Sequence, residues 1–221
     1  MKVLVFGATG MVGQGVLREC LLDPEVELAT TVGRSSTGMQ NPKLREIVHA
    51  DLEDYTSIAG ELAGYDACFF CLGVSSSGMK EAAYERVTYR FTLAAAETLS
   101  RVNPEMTFIY VSGASTDSSE RGRIMWARVK GRTENALLRL PLKAYMFRPG
   151  LIQPLDGIVS KTPAYRLIYG LAKPVLPLLQ WALPNYVLST RDIGKAMLAV
   201  AKRGYAKKVL ETSDIRVAER A

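Results

Sequence analysis

The sequence predicts a doubly wound α/β fold: a mostly parallel sheet with helices on both faces and a small helical cap toward the C-terminus. Three observations carry that prediction. Apolar runs of strand length alternate with stretches of helical periodicity along most of the chain. The first run, Lys2–Phe6, is almost wholly apolar and ends in Gly7, which fits a strand buried on both faces. The 221 residues are enough for one domain with a single continuous core.

The elements follow in order. Met11–Leu22 reads as a helix that Asp23-Pro24 stops, because the residue before proline is pushed out of helical backbone. Residues 26–32 and 44–49 are the second and third strands. Asp54 is placed to cap a short helix ending at Leu62, its side-chain oxygen accepting from a free N–H. Residues 66–71 are a fourth strand. Across 80–101, Tyr84, Val87, Phe91, Ala94, Ala95 and Thr98 recur at helical spacing and predict one long helix. Residues 106–111 are a fifth strand, 123–139 a helix and 142–147 a sixth strand. Ser189-Thr190-Arg191-Asp192 has the form of a capping box opening a helix to about Ala201. Val209–Glu211 is a last strand.

Composition narrows the function classes. Apolar residues make up 48% and charged residues 23%, the profile of an ordinary globular protein. The net charge of +6 favours anionic ligands, with no long basic run to suggest nucleic acid. Arg121, Arg123, Arg128, Lys130 and Arg132 do not share one side at helical spacing and read as a solvated helix face. Cys68 and Cys71 lie three apart within a strand, hence on opposite faces, and cannot share a metal. Cys20 leaves the count odd, so reduced thiols and a cytoplasmic location are expected. MKVLVFGATG is too short an apolar run for a signal segment. His49, the single histidine, ends a strand with no partner nearby in sequence, which supports neither a triad nor a zinc site.

The first candidate site is the turn GATGMVG, residues 7–13, between the first strand and the first helix. Gly7 permits the tight turn, Gly10 lets a pyrophosphate approach bare N–H groups at the helix N-terminus, and Gly13 lets helix and strand pack closely. Thr9, Met11 and Val12 complete the cradle. After the second strand, where a binder of NAD usually carries a carboxylate, the segment TVGRSST places Arg34. A guanidinium binds a 2′-phosphate through a bidentate fork, and Ser35 and Ser36 add donors, so NADP(H) is expected over NAD(H). A solvated surface arginine is the alternative. Asp51 is placed to accept from an adenine amino group with Leu52 against the ring; it is equally placed to cap the following helix. Cys71, Leu72 and Gly73 end the fourth strand, where Gly73 lets a ligand come close.

These residues resemble the short-chain dehydrogenase/reductase superfamily with its Rossmann-type fold. GATGMVG, Asp51-Leu52, CLG after strand four, VSGAS after strand five and FRPG after strand six are similar to its atypical branch, including the Tat-interacting-protein-like oxidoreductases, which bind NADP(H), and the NAD-dependent epimerases. The resemblance implies a catalytic Ser followed by Tyr-x-x-x-Lys. Ser112 or Ser115 matches the Ser and Lys130 the Lys, which would also hold the nicotinamide ribose. Trp126 stands where the Tyr is expected. Pro149, Gly150, Leu151 and Ile152 match the backbone that borders the nicotinamide. The resemblance divides a single domain, 1–221, into a dinucleotide-binding portion (1–150), a substrate-cap segment (151–189) and a closing helix and strand (190–221).

Trp126 and Lys130 lie four apart and share a helix face. An indole N–H only donates and cannot cycle between acid and base. Lys130, a water on Ser112, or Tyr186 are the candidate substitutes, and Trp126 is either a packing aromatic or a stacking surface for substrate. Residues 165–188 are the most apolar stretch, but Pro174, Pro177, Pro184 and Lys173 argue against a spanning helix. Their place after strand six implies a cap over an apolar substrate; a membrane-surface or dimer contact is the alternative. The expected function is NADPH-dependent reduction of a small apolar carbonyl compound. A non-catalytic NADPH-binding regulator is the second reading, and isomerase or epimerase chemistry the third.

Overall fold

A computed structural model describes residues 1–158 and 186–220. Seven strands form one sheet in the order β3-β2-β1-β4-β5-β6-β9, every neighbouring pair parallel. They are β1 (Lys2–Phe6), β2 (Leu28–Gly33), β3 (Leu44–Val48), β4 (Ala67–Phe70), β5 (Thr107–Val111), β6 (Lys143–Arg148) and β9 (Val209–Glu211). The central strand β1 sets the register: Val3 pairs with Ala29 on one side and Ala67 on the other. The order reverses between β1 and β4, which opens a crevice at the C-terminal strand ends.

Alternating side chains of the strands feed two cores. Val3, Val5, Phe69, Ile109 and Phe147 face α1 (Met11–Leu22), α5 (Thr190–Arg203) and α6 (Thr212–Arg220). Leu4, Phe6, Cys68, Phe70 and Phe108 face α3 (Phe91–Val102) and α4 (Met125–Leu137). Cys68 and Cys71 accordingly join opposite cores, and all three cysteines are free thiols. Fully apolar strands are what a sheet covered on both faces requires.

The capping box reads as expected. Ser189 Oγ accepts from Asp192 N at 3.1 Å, and the Asp192 carboxylate accepts from Ser189 N at 2.8 Å. Asp54 accepts from the N–H and hydroxyl of Thr56, but what it starts is a 3-10 helix, Thr56–Leu62. The long helix predicted over 80–101 is built in three contiguous pieces: α2 (Glu81–Glu85), a π-helical turn (Arg86–Arg90) and α3. The π turn frees the carbonyl of Thr88, which accepts from the hydroxyls of Thr92 at 2.7 Å and Thr133 at 3.4 Å.

Two features were not expected from sequence. A short parallel pair joins β7 (Leu151–Gln153) to β8 (Val187–Ser189) beside the main sheet order. The helix α6 also follows β9. The predicted cap lies almost wholly in 159–185, outside the described residues. No described helix is long and apolar enough to cross a membrane.

Candidate functional site

A cavity of about 1050 Å³ lies over the C-terminal ends of β1, β2, β4, β5 and β6. The β1–α1 turn forms its floor through Gly7, Thr9, Gly10, Met11 and Val12. Gly7 has φ +73°, and a β-carbon there would come within 2.6 Å of Leu72, so only glycine lets the two strand ends meet. Gly10 opens α1 with no side-chain cap and no acidic residue in the first turn. The free N–H groups of that turn therefore face the cavity with the positive end of the helix dipole behind them, as a phosphate requires. Gly13 stands behind the wall and serves packing alone: a β-carbon on it would lie 2.1 Å from the Gly7 carbonyl oxygen.

The end of β2 brings Arg34 and Ser35 to the wall. Arg34 is exposed, and no described carboxylate pairs with it. The loop that carries it is organised by Glu46 of β3. That carboxylate accepts from Ser36 Oγ at 2.8 Å, Thr37 N at 2.7 Å and Thr37 Oγ1 at 2.6 Å. Partial burial works against the Glu46 charge, but these hydrogen bonds prevail and hold its carboxyl below the usual range. The hydroxyl of Ser36, expected at the ligand, is thus given to Glu46 and does not line the cavity.

Leu52 lines the wall and Asp51 does not: the Asp51 carboxylate turns back to accept from Glu53 N at 2.9 Å. The helix-cap role is not realised, since Thr56–Leu62 is opened by Asp54 instead. Cys71, Leu72 and Gly73 line the cavity as expected, and burial pushes the Cys71 thiol up, which leaves it unreactive. Sequence reasoning missed the wall opposite β2. Met79, just before α2, and Ala83, Val87 and Phe91 on α2, the π turn and α3 form it at four-residue spacing. Arg86 stands beside them, held by Glu53 through contacts of 2.6 and 3.0 Å.

At the far end, Val111, Ser112 and Gly113 follow β5, and Pro149, Gly150, Leu151 and Ile152 follow β6. Ser112 is buried, and its hydroxyl lies 3.0 Å from that of Thr116. Ser115, the alternative, is exposed at φ +65° and does not line the cavity. Lys130 reaches the wall from α4, its ammonium donating to the carbonyls of Ser112 at 3.1 Å and Val111 at 3.3 Å, above the Tyr110 ring. Burial lowers its pKa to about 8, and the Glu134 carboxylate one helical turn on opposes the fall.

Trp126 is not brought to the cavity. Its half-buried ring lies 4.0 Å from where a β-carbon on Gly113 would stand, and Gly113 lines the wall in its place. Tyr186 is 69% exposed; its carbonyl accepts from Leu151 N at 3.1 Å, but its side chain does not line the wall. His49 is satisfied as expected, 2.7 Å from the Asp54 carbonyl. Among the described residues no group of His, Cys, Asp and Glu is arranged to hold a metal.

Comparison with known proteins agrees with this geometry. The model of the NAD dependent epimerase/dehydratase family matches residues 3–121. The mitochondrial protein FMP52-2 of Scheffersomyces stipitis is 27% identical over 152 residues, which are 67% of this chain and 65% of that protein. Protein HTATIP2 of Rattus norvegicus is 27% identical over 156 residues, covering 68% of this chain and 62% of its own length. The structure of WbmF from Bordetella bronchiseptica in complex with NAD+ matches with a TM-score of 0.68 at 16% identity, over 98% of this chain and 76% of that one. That likeness shows the fold. The expected cytoplasmic location is overturned by the relatives, since the FMP52 proteins that match are mitochondrial.

Proposed function

Because the chain belongs to the NAD dependent epimerase/dehydratase family and to the atypical short-chain dehydrogenase/reductase class, we propose that it binds NADP(H) in this cavity and reduces a small, fairly apolar carbonyl compound. The observation that carries the proposal is Arg34. It follows β2 directly in the cavity wall, without a carboxylate partner among the described residues, where binders of NAD usually hold an acid. The first turn of α1 holds the pyrophosphate, Arg34 and Ser35 the 2′-phosphate, and Leu52 one face of the adenine. Lys130 presents its one remaining donor at the nicotinamide end, and Gly150 to Ile152 border the ring. Ser112 orients the substrate carbonyl by donating to its oxygen. A reduced nicotinamide, when bound, supplies hydride. Val111, Leu151 and Ile152 give that end an apolar surface suited to a substrate without charge.

NADPH consumption across a panel of aldehydes, ketones and enones tests the proposal. Turnover of apolar members, with charged members unused, supports it. One observation favours a second reading: the phenol position of the motif holds Trp126, away from the wall. Tight NADPH binding with no turnover, unchanged in Lys130→Ala, replaces the reductase with a non-catalytic NADPH-binding regulator.

A further inference from the structure

Lys130 sits in a chain of alternating charge that no dinucleotide contact requires. Glu134, one turn along α4, is 1% exposed, and Arg148 at the end of β6 is 9% exposed. Arg148 Nε donates to Glu134 Oε1 at 3.0 Å and Nη2 to Oε2 at 2.5 Å, a bidentate pair. Its Nη1 reaches Glu211 of β9 at 3.1 Å and its Nη2 reaches Ser118 at 2.6 Å. Lys130, Glu134, Arg148 and Glu211 therefore run from the cavity wall through the interior to the surface with signs alternating.

The ammonium of Lys130 has three donors, and two are taken by the carbonyls of Val111 and Ser112. The third remains for a ligand in the cavity that Lys130 and Ser112 both line. No described tyrosine lines that cavity. We propose that Lys130 is itself the proton donor of this site, and that Glu134, clamped by Arg148, is the positioning residue whose buried charge keeps that proton in place until a ligand takes it. This rests on the reductase reading. The proton leaves Nζ for the oxygen of a bound carbonyl compound, while hydride from a reduced nicotinamide joins the carbon. The nitrogen keeps its electron pair and takes a proton back from water.

The groups facing the ammonium set its protonation. Glu134 from α4 holds the proton on, and the ring of Tyr110 from β5, 5.3 Å away, favours the cation. Burial pushes the Tyr110 hydroxyl well up and keeps it neutral, and Tyr84 lies buried nearby. Arg148 from β6 and Glu211 from β9 act through Glu134. Burial loosens the proton and the Glu134 counter-charge opposes that, with the net release at about 8.

The test titrates Lys130 in ligand-free protein by nitrogen-labelled lysine NMR and compares wild type with Glu134→Gln. The expected midpoint is near 8 in wild type and falls by about one pH unit or more in the variant, since a counter-charge is lost and Arg148 is left to Glu211 alone. The alkaline limb of the reduction rate falls at the same midpoint and moves with it, and Lys130→Met lowers the rate about 10²–10⁴-fold. A wild-type midpoint of an ordinary surface lysine overturns the proposal, even where the variant fails to fold. So does a rate limb that ignores the Glu134 substitution, or NADPH bound with no carbonyl reduced. Failure to bind NADPH at all sinks the reductase reading instead, and leaves the titration to judge Glu134.

Discussion

Gly13 and Gly7 meet backbone to backbone: a β-carbon on residue 13 would stand 2.1 Å from the carbonyl oxygen of residue 7. That approach seats α1 against β1 and aims its first turn at the cavity. Gly13→Ala must push helix from strand, and no flexible side chain is there to yield. The expected cost is about 3 kcal/mol, the upper part of the range for overpacking, with dinucleotide binding weakened as well. Denaturant unfolding and calorimetry of the same variant check both. An alanine variant of unchanged stability would mean that the helix is seated elsewhere.

Glu46 organises the loop that carries Arg34 without touching the cavity itself. Glu46→Ala is expected to weaken NADPH binding about tenfold, or about 1.4 kcal/mol, by releasing Ser36 and Thr37. NADH binding is expected to change less. Equal loss for both dinucleotides would assign Glu46 to general stability.

The same carboxyl gives a pH dependence whose sign is fixed. Its pKa in the folded protein lies below the ordinary glutamate value. Its contribution is therefore fully present above that ordinary value and is lost as pH falls through the lowered folded one. The preference for NADPH over NADH, measured by calorimetry from neutral pH downward, is expected to shrink in the acid range and to become less pH-dependent in Glu46→Ala. A preference that grows on acidification contradicts this.

The pair Glu134–Arg148 is buried, so breaking it from one side costs more than replacing both partners. Glu134→Leu alone is expected to cost about 3–5 kcal/mol, because Arg148 loses its buried bidentate partner and keeps only the half-exposed Glu211. The double variant Glu134→Leu, Arg148→Met is expected to recover much of that loss. Thermal unfolding of the two proteins decides it, and equal losses would show that Arg148 matters mainly through Ser118 and Glu211.

Much of this was legible in sequence where one local signal sufficed. Apolar-rich runs located the strands of the main sheet, although Arg45 and Glu46 interrupt β3, and β9 falls where the run at Val209–Glu211 placed it. The reciprocal hydroxyl and carboxylate of Ser189 and Asp192 announced the start of α5. What escaped reading was non-local or weakly patterned. The helix α6 buries only Thr212, Ile215 and Ala218, too thin a stripe to stand out. The π turn keeps the side-chain spacing of a helix, so periodicity cannot separate it from α2 and α3. The wall of Met79, Ala83, Val87 and Phe91 does carry a signal, a four-residue spacing next to a glycine-ended loop, but helical periodicity alone does not say which face meets a cavity. Glu134 and Arg148 are on different elements, and nothing in either segment points to the other. Ser36 and Asp51 sat at plausible positions, but local acceptors and donors, Glu46 and the Glu53 N–H, claimed them first.

The most direct test of the account is calorimetric titration with NADPH and NADH, on wild type and on Arg34→Gln. The account predicts that wild type prefers NADPH by about 10–100-fold, the worth of charge-assisted hydrogen bonds to a 2′-phosphate, and that Arg34→Gln loses the preference while still binding NADH. Wild-type protein that favours NADH, or that binds neither dinucleotide, contradicts it.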